Sequence, residues 1–377
     1  MRDVGAIPIK SSNNIMAELF LNISKSRRKF KSLMGQANHF LITALIGLDY
    51  IDNNEVKCPS SFSTSWNPKD KKSSVDRTRQ YILNSSLAWA IDCLDSYFSG
   101  CNQSPKLIDN DNFIRELDVK RISRSVHEKL LTFTQYVIPI THKVEFDIYK
   151  SLTGLAIQWR NNTTHSGADN KIEAEHKKIL LSYTDKIKEL FCNLDITQSL
   201  QSFSEHKSPT FKEVASLIRG IQRFVETVDR YLISNIDIDK YACNVIKCHC
   251  KQYNIPDQAI LSLPTDKRNS KISNILKSYS FSEVATTSNS PKIEIDHIVE
   301  LWAKQYLHTY LMEIQKELNM RSSAIKFARC LLCHAQILLI SIRRRSCRSL
   351  RFTFCWAKMR QRSHKHILEK QRIFVSV

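Results

Sequence analysis

The stretch QWRNNTTHSG, residues 158–167, places an arginine, an asparagine and a histidine within six positions, as Arg160, Asn161 and His165. Histidine side chains in general titrate near neutral pH and can therefore transfer protons in a reaction. Arginine can hold a phosphate through charge-assisted hydrogen bonds. The three residues follow an apolar helical stripe, so a second interpretation stays open, in which Arg160 and His165 only decorate a helix C-terminus, where cations suit the helix dipole.

Other patterns that would support catalysis or cofactor binding are absent from the sequence. The seven glycines are widely separated, which excludes the clustered glycines of dinucleotide and mononucleotide phosphate loops. The G-x-S-x-G and H-E-x-x-H patterns of two hydrolase classes do not occur either. We therefore expect no cofactor, and the chain offers no catalytic group that competes with Arg160, Asn161 and His165.

Two clusters of cysteine and histidine could in principle bind a metal or haem. The first contains Cys243, Cys248, His249 and Cys250, but its C-x₄-C-x-C spacing is irregular and no second ligand pair is evident. The second, at residues 330–334, has the C-x-x-C-H spacing of a c-type haem site, which requires an exported chain. The sequence shows no secretory signal. We expect free thiols, no metal site and a reducing cytoplasm.

The formal net charge of +19 is unevenly distributed along the chain. Residues 321–377 contain fourteen Lys and Arg but a single acid, Glu369, which leaves a modest basic excess on residues 1–320. That excess fits a polyanionic partner such as RNA through counterion release, and it fits a solvated basic surface equally well. The basic tail has three interpretations: a nucleic-acid-binding tail, a membrane-surface amphipath, or non-native sequence.

Apolar stripes with helical spacing predict a mostly α-helical chain. The clearest helix covers Ser73–Phe98, with Ser73 and Asp76 expected as its capping residues. Long helices joined by short loops favour an antiparallel bundle. We expect eight apolar residues in the core of this bundle: Leu87, Ile91, Leu94, Ile148, Leu152, Leu155, Ile187 and Leu190.

The composition divides the chain into four regions. We predict a flexible basic N-terminus at residues 1–30 and a helical domain at residues 31–203. A helical accessory region without an assigned role follows at residues 208–320, and the basic tail at residues 321–377 is expected to be disordered or non-native. The apolar run FLITALIGL is too short to span a bilayer, so no membrane partner is expected.

The stretch WRNNTTH resembles the R-N-x-x-x-H form of the R-x₄₋₆-H motif in the HEPN superfamily of helical ribonuclease and nucleotide-binding domains. The matching residues are Arg160, Asn161 and His165. The preceding helix, SSVDRTRQYILNSSLAWAIDCLDSYF, is similar to the first core helix of RNA-associated HEPN families. The resemblance covers about residues 31–203 and implies an antiparallel HEPN-like bundle.

The resemblance also implies a function. HEPN ribonucleases cut RNA without metal, as homodimers in which two motifs line one cleft. His165 would be the general acid/base at the ribose 2′-hydroxyl or the leaving oxygen, and Arg160 would hold the scissile phosphate. Asn161 would orient His165 or the phosphate, and Asp92 or Asp95 on the neighbouring helix would support the cationic pair. We predict an RNA endonuclease of prokaryotic defence or stress response.

HEPN toxins often carry a tyrosine two residues after the histidine, where this chain has Gly167. This difference argues against regulation through such a tyrosine, although a cognate antitoxin or regulatory protein is still an expected partner. Two alternatives stay open. One is a non-catalytic HEPN module that binds RNA or nucleotide, and the other is a helical dimerisation scaffold in which Arg160 and His165 cap a helix.

Overall fold

The computed structural model describes residues 18–62, 66, 68–108, 113, 115, 119, 125–136, 143–165 and 167–343, with side chains described as far as residue 319. The prediction of a mostly α-helical chain is confirmed, since the described residues are 73% helical and 3% strand. The helices are α1 (Lys25–Asn53), α2 (Lys71–Asn102), α3 (Val126–Tyr136), α4 (Val144–Thr164), α5 (Ala174–Ser182), α6 (Thr184–Leu190), α7 (Ile196–Ser204), α8 (Phe211–Ser234), α9 (Ile238–Gln252), α10 (Asp257–Leu261), α11 (Thr265–Ser278) and α12 (Ile295–Arg343). The strands are β1 (Glu18–Leu21), β2 (Phe281–Ser282) and β3 (Lys292–Glu294).

A small antiparallel sheet joins the two ends of the helical unit. β1 lies between β2 and β3, with Leu19 opposite Ile293 and Leu21 opposite Phe281. Alternation along β1 turns Leu19 and Leu21 into the core. Part of the N-terminus predicted to be flexible is therefore a strand followed by α1, while residues 1–17 lie outside the described residues. The sequence could not reveal this strand because its partners come from the far end of the unit.

The start of α2 differs from the prediction. The helix begins at Lys71, and the side chain of Asp70 caps it by accepting a hydrogen bond of 3.2 Å from the backbone N–H of Ser73. Ser73 and Asp76 therefore lie inside the first turns and are not the capping pair. Asp70 is a strong N-cap residue because its carboxylate satisfies a helical N–H that has no partner within the helix.

The predicted core of the bundle is largely confirmed. Seven of the eight expected residues, on α2, α4 and α6, are fully buried, and Leu190 is half-buried at the end of α6. Two short helices, α5 and α6, meet at Tyr183, where the backbone leaves helical geometry. This break displaces the end of the stripe, which explains the partial exposure of Leu190.

Helix α8 belongs to the same core as α2 and α4. The ring of Phe224 on α8 stacks on Phe146 of α4 at 5.6 Å and meets Phe98 of α2 edge-on at 6.3 Å. A capping box formed by Thr210 and Glu213 begins α8 directly after the loop that was expected to separate two domains. The regions predicted as residues 31–203 and 208–320 thus share apolar packing across that loop.

The described residues form two compact units, one up to Tyr306 and one from Leu307. α12 extends to Arg343, so the first part of the basic segment is helical, and residues 344–377 lie outside the described residues. Within the described part of the chain, no helix is both long enough and apolar enough to cross a membrane.

Candidate active site

The candidate residues lie where α4 leaves the core. Side chains are buried along α4 from Ser151 to Trp159, and exposure rises from Arg160 onwards. Trp159 fixes this point, because its Nε1 donates a 3.0 Å hydrogen bond to the carbonyl of Lys207 and its ring meets Phe203 edge-on at 5.8 Å. The end of α4 is therefore held firmly against the loop between α7 and α8.

Most polar residues between Arg160 and His165 form hydrogen bonds at the C-terminus of α4. The hydroxyl groups of Thr163 and Thr164 donate to the carbonyl of Arg160 at 3.1 and 2.7 Å. Asn162 accepts a 2.8 Å bond from the backbone N–H of Asn170 and donates a 3.0 Å bond to its carbonyl, which holds the following loop in place. These local bonds account for three of the polar residues as structural groups.

Arg160 is held loosely by its neighbours among the described residues. Its side chain is 17% exposed, and its Nη2 lies 3.9 Å from Oδ1 of Asp92 on α2, which is itself 74% exposed. Its buried Nε has no hydrogen-bond partner in the described part of the chain. A guanidinium has five N–H donors, and buried donors are nearly always paired, so Arg160 retains unused capacity for an anion.

His165 ends α4 and is exposed. Its backbone is extended, and its N–H donates a 3.1 Å bond to the carbonyl of Asn161, which places these two residues one helical turn apart. Asn161 is half-buried. The side chains of Asn161 and His165 make no hydrogen bond or ion pair with any described residue, so both side chains are free to contact a ligand.

Of the two acids expected near Arg160, the structure places only Asp92 beside it. Asp95, one turn further along α2, instead forms an ion pair of 2.5 Å with Lys129 of α3, whose side chain is only 9% exposed. A buried ammonium needs a counter-charge, and Asp95 is the acid that provides it. Asp95 therefore anchors α3 to α2 and has no contact with the cationic pair.

A second histidine lies close to the loop that follows α4. His206 has its Nε2 3.7 Å from Oδ1 of Asp169 and is exposed. Together with Lys207, whose carbonyl binds Trp159, it adds basic residues beside the end of α4. The sequence of this segment indicates only a boundary between two helical regions. No local pattern could have indicated its position, because the contact joins loops that are distant along the chain.

The structure also contains a buried polar cluster between α4 and α5, which no sequence pattern indicated. His176 Nδ1 lies 3.2 Å from Ser151 Oγ, and Glu173 is 3.7 Å from His176 Nε2 and 2.8 Å from His127 Nε2. Ser151 and His176 are at most 1% exposed, so substrate cannot reach this serine–histidine–acid arrangement. Burial lowers the pKa of His176 to about 4. Gly154 makes room for the ring, since a Cβ there would lie 2.8 Å from it.

The other candidate ligands do not form a metal site in the described residues, where no group of three or more His, Cys, Asp or Glu side chains could hold an ion. Cys243, Cys248 and Cys250 on α9 are free thiols, and burial raises the pKa of each. The side chains at residues 330–334 lie outside the described part of the structure.

Comparison with known proteins adds no relative: no family model, no curated protein and no solved structure matches this chain. The likeness to HEPN domains therefore depends on the motif Arg160, Asn161 and His165 and on the helix α2 that lies beside it.

Proposed function

We propose that this protein is a metal-independent RNA endonuclease of the HEPN type, with Arg160, Asn161 and His165 as its catalytic residues. The observation that carries the proposal is the state of Arg160. This half-buried guanidinium has a long contact with one exposed carboxylate and a buried Nε without a partner in the described residues. Such a group is poorly satisfied without a ligand and well suited to one that carries negative charge.

Arg160 would bind the scissile phosphate. A phosphate offers several acceptor oxygens to the guanidinium fork, and the negative charge that develops during cleavage strengthens this interaction in the transition state. Asp92 is the residue that neutralises Arg160 when no RNA is bound, and its high exposure allows it to give way to a phosphate. Because the two side chains form no close hydrogen bond, replacing Asp92 with a phosphate costs little free energy.

His165 would transfer the protons. Its exposed position at the end of α4 allows the imidazole to reach a ribose 2′-hydroxyl, remove its proton and let the oxygen attack phosphorus. The bond from phosphorus to the 5′-oxygen then breaks, and that oxygen leaves with a proton. The products would be a 2′,3′-cyclic phosphate and a 5′-hydroxyl. Asn161, one turn before His165, would orient the imidazole or the phosphate through its amide.

The products provide the first test of this proposal. We expect the purified protein to cleave single-stranded RNA in the presence of EDTA and to leave 2′,3′-cyclic phosphate ends or their hydrolysis product. An oligonucleotide of the same sequence with a single 2′-deoxy sugar at the main cleavage site is the control, and it should resist cleavage there. Cleavage that requires added metal, or equal cleavage of the 2′-deoxy oligonucleotide, would contradict the proposed chemistry.

The active species would be a homodimer. Four cavities within the described residues are lined by parts of α1, α2, α8, α9 and neighbouring loops, and none of these four includes Arg160, Asn161 or His165. An exposed histidine on one protomer has little around it to enclose RNA. A second protomer with an isologous interface would complete a cleft and provide a second histidine to protonate the leaving oxygen.

Light scattering tests this assembly. We expect the mass of a dimer at micromolar concentration, with or without RNA, and a cleavage rate per protomer that falls when dilution separates the protomers. A strict monomer that retains its full cleavage rate would contradict the composite site, while leaving the roles of the individual residues to be tested by substitution.

The HEPN likeness further suggests a role in prokaryotic defence or stress response, with a cognate antitoxin or regulatory protein as partner.

A second candidate function is RNA binding without cleavage. The state of Arg160 favours it too, because its Nε, which has no partner among the described residues, could hold a phosphate whether or not His165 transfers a proton. Both functions use the same cations, and only product formation distinguishes them.

A further inference from the structure

A cavity of about 600 Å³ lies where β1 leads into α1, on a part of the fold that contributes nothing to the candidate active site. Its walls come from the first two turns of α1, the last turns of α8 and the loop between β2 and β3. The volume falls in the range of small-molecule sites, roughly 300–1,000 Å³. The cavity is thus large enough for a ligand of nucleotide size.

Positive charge dominates this cavity. Glu226 is the one acid among the described residues that line it, and three guanidiniums share its carboxylate: Arg27 at 2.8 Å, Arg223 at 2.9 Å and Arg230 at 3.2 Å. Burial alone would raise the pKa of Glu226, but the three arginines hold it below its ordinary value. Lys31 adds a fourth cation and pairs with no acid among the described residues. Arg223 lies outside the lining, so the lining itself has three cations against one carboxylate, an excess of two positive charges.

The walls of the cavity are fixed in position without a ligand. Ser24, which caps α1, donates its backbone N–H and its hydroxyl to Asp229, a fully buried carboxylate on α8. These bonds hold the start of α1 against α8 and so place Arg27 beside Glu226. On the opposite wall, Asn22 accepts a 2.9 Å bond from the backbone N–H of Thr286. Binding therefore requires little reorganisation of the protein, which favours affinity.

The remaining lining is divided between neutral polar groups and apolar groups. Thr287 and Ser290 place two hydroxyl groups 3.0 Å apart in the loop between β2 and β3. Ile23, Ile233 and Pro291 form apolar surface in the same cavity. A cluster of guanidinium and ammonium groups next to hydroxyls matches the oxygens of a phosphate chain, and the apolar surface matches an organic group attached to it.

We propose that this cavity binds a small molecule that carries a chain of two or more phosphates, held by Arg27, Lys31 and Arg230. The excess of two positive charges in the lining favours an anionic ligand, and guanidinium and ammonium groups suit phosphate oxygens. Two sources share this chemistry, a nucleoside diphosphate and free pyrophosphate. The proposal is independent of RNA cleavage, because no residue of the candidate active site contributes to the cavity.

Isothermal titration calorimetry on the full chain tests the proposal with ADP, pyrophosphate and adenosine as probes. We expect saturable binding of ADP and pyrophosphate that weakens as salt is raised, and no binding of adenosine. Tighter binding of ADP than of pyrophosphate would identify the nucleotide as the ligand, with its organic group on Ile233 and Pro291. Equal affinity would identify the phosphate chain alone.

Charge-reversal variants locate the binding. Lys31→Glu and Arg230→Glu should each weaken ADP binding at least ~10-fold, because each replaces a cation that contacts phosphate with a repelling anion. Both side chains are exposed, so these variants should keep the melting temperature of the wild type. Lys267→Glu, on the exposed face of α11, is the matched control and should leave affinity unchanged. Absence of saturable binding by either phosphate probe, or equal weakening in Lys267→Glu, would overturn the proposal.

Discussion

Replacing His165 with alanine is expected to lower RNA cleavage by ~10²–10⁴-fold, the usual contribution of a positioned general acid/base. The imidazole is exposed and has no side-chain partner among the described residues, so its removal should leave the fold intact. The rate of cleavage of a defined oligonucleotide and the melting temperature are the two measurements. His39→Ala, at an exposed histidine on α1, is the control and should cleave at the rate of the wild type.

Arg160→Ala should be as damaging as His165→Ala, because the phosphate loses its charge-assisted donors. Arg160→Lys should recover only part of the rate, since an ammonium keeps the charge but cannot reproduce the guanidinium fork. Arg219→Ala, at an exposed arginine on α8, controls for the loss of one positive charge.

If Arg160 and His165 only cap α4, the outcome differs. His165→Ala would then cost ~0.3–1 kcal/mol of stability through the helix dipole and would change no RNA chemistry.

Replacing Trp159 with alanine is expected to lower the free energy of unfolding by about 3–5 kcal/mol, the usual cost of deleting a large buried aromatic side chain. Trp159 is 1% exposed, packs against Phe203 and donates to the carbonyl of Lys207, so the substitution leaves a cavity and removes a hydrogen bond. The effect matters for the site because Trp159 directly precedes Arg160 and holds the end of α4 in place.

Urea denaturation measures this effect, with Trp89→Ala as the matched control. Trp89 lies on α2 and is 46% exposed, so its replacement should cost less than about 1 kcal/mol. Because each variant loses one tryptophan, unfolding is best followed by circular dichroism rather than by fluorescence. Equal destabilisation by the two substitutions would contradict the burial of Trp159 and the anchored helix end that we infer from it.

The helices of the site could be predicted because their signals are local. Apolar residues recur at helical spacing in α2 and α4, and this spacing alone indicates that Leu87, Ile91, Leu152 and Leu155 face a core. The stripe stops at Trp159, whereas α4 continues to Thr164, so the sequence indicates the end of this helix only to within about one turn. What the stripe cannot indicate is which residue of a neighbouring helix comes closest.

Asp92 and Asp95 illustrate this limit. The two acids lie one turn apart on α2 and appear equivalent in the sequence, yet Asp92 lies beside Arg160 while Asp95 neutralises Lys129. The difference depends on where α3 and α4 cross α2, and that arrangement is set by tertiary packing.

Long-range contacts explain the other features that the sequence did not reveal. The pairing of β1 with β2 and β3, the position of His206 near the loop after α4, and the cavity between α1 and α8 all join distant segments. In each case the individual residues are ordinary for a loop, strand or helix surface. Arg27, for example, reads as one of several cations at the start of α1 until α8 brings Glu226 beside it.

The most direct test of the central claim is one gel, on which wild-type protein and His165→Ala act on the same RNA in the presence of EDTA. We predict discrete fragments with 2′,3′-cyclic phosphate ends from the wild type, and almost no product from the folded variant in the same time. Identical cleavage patterns from the two proteins, or no cleavage by folded wild type across varied RNA sequences, would contradict an endonuclease site at the end of α4.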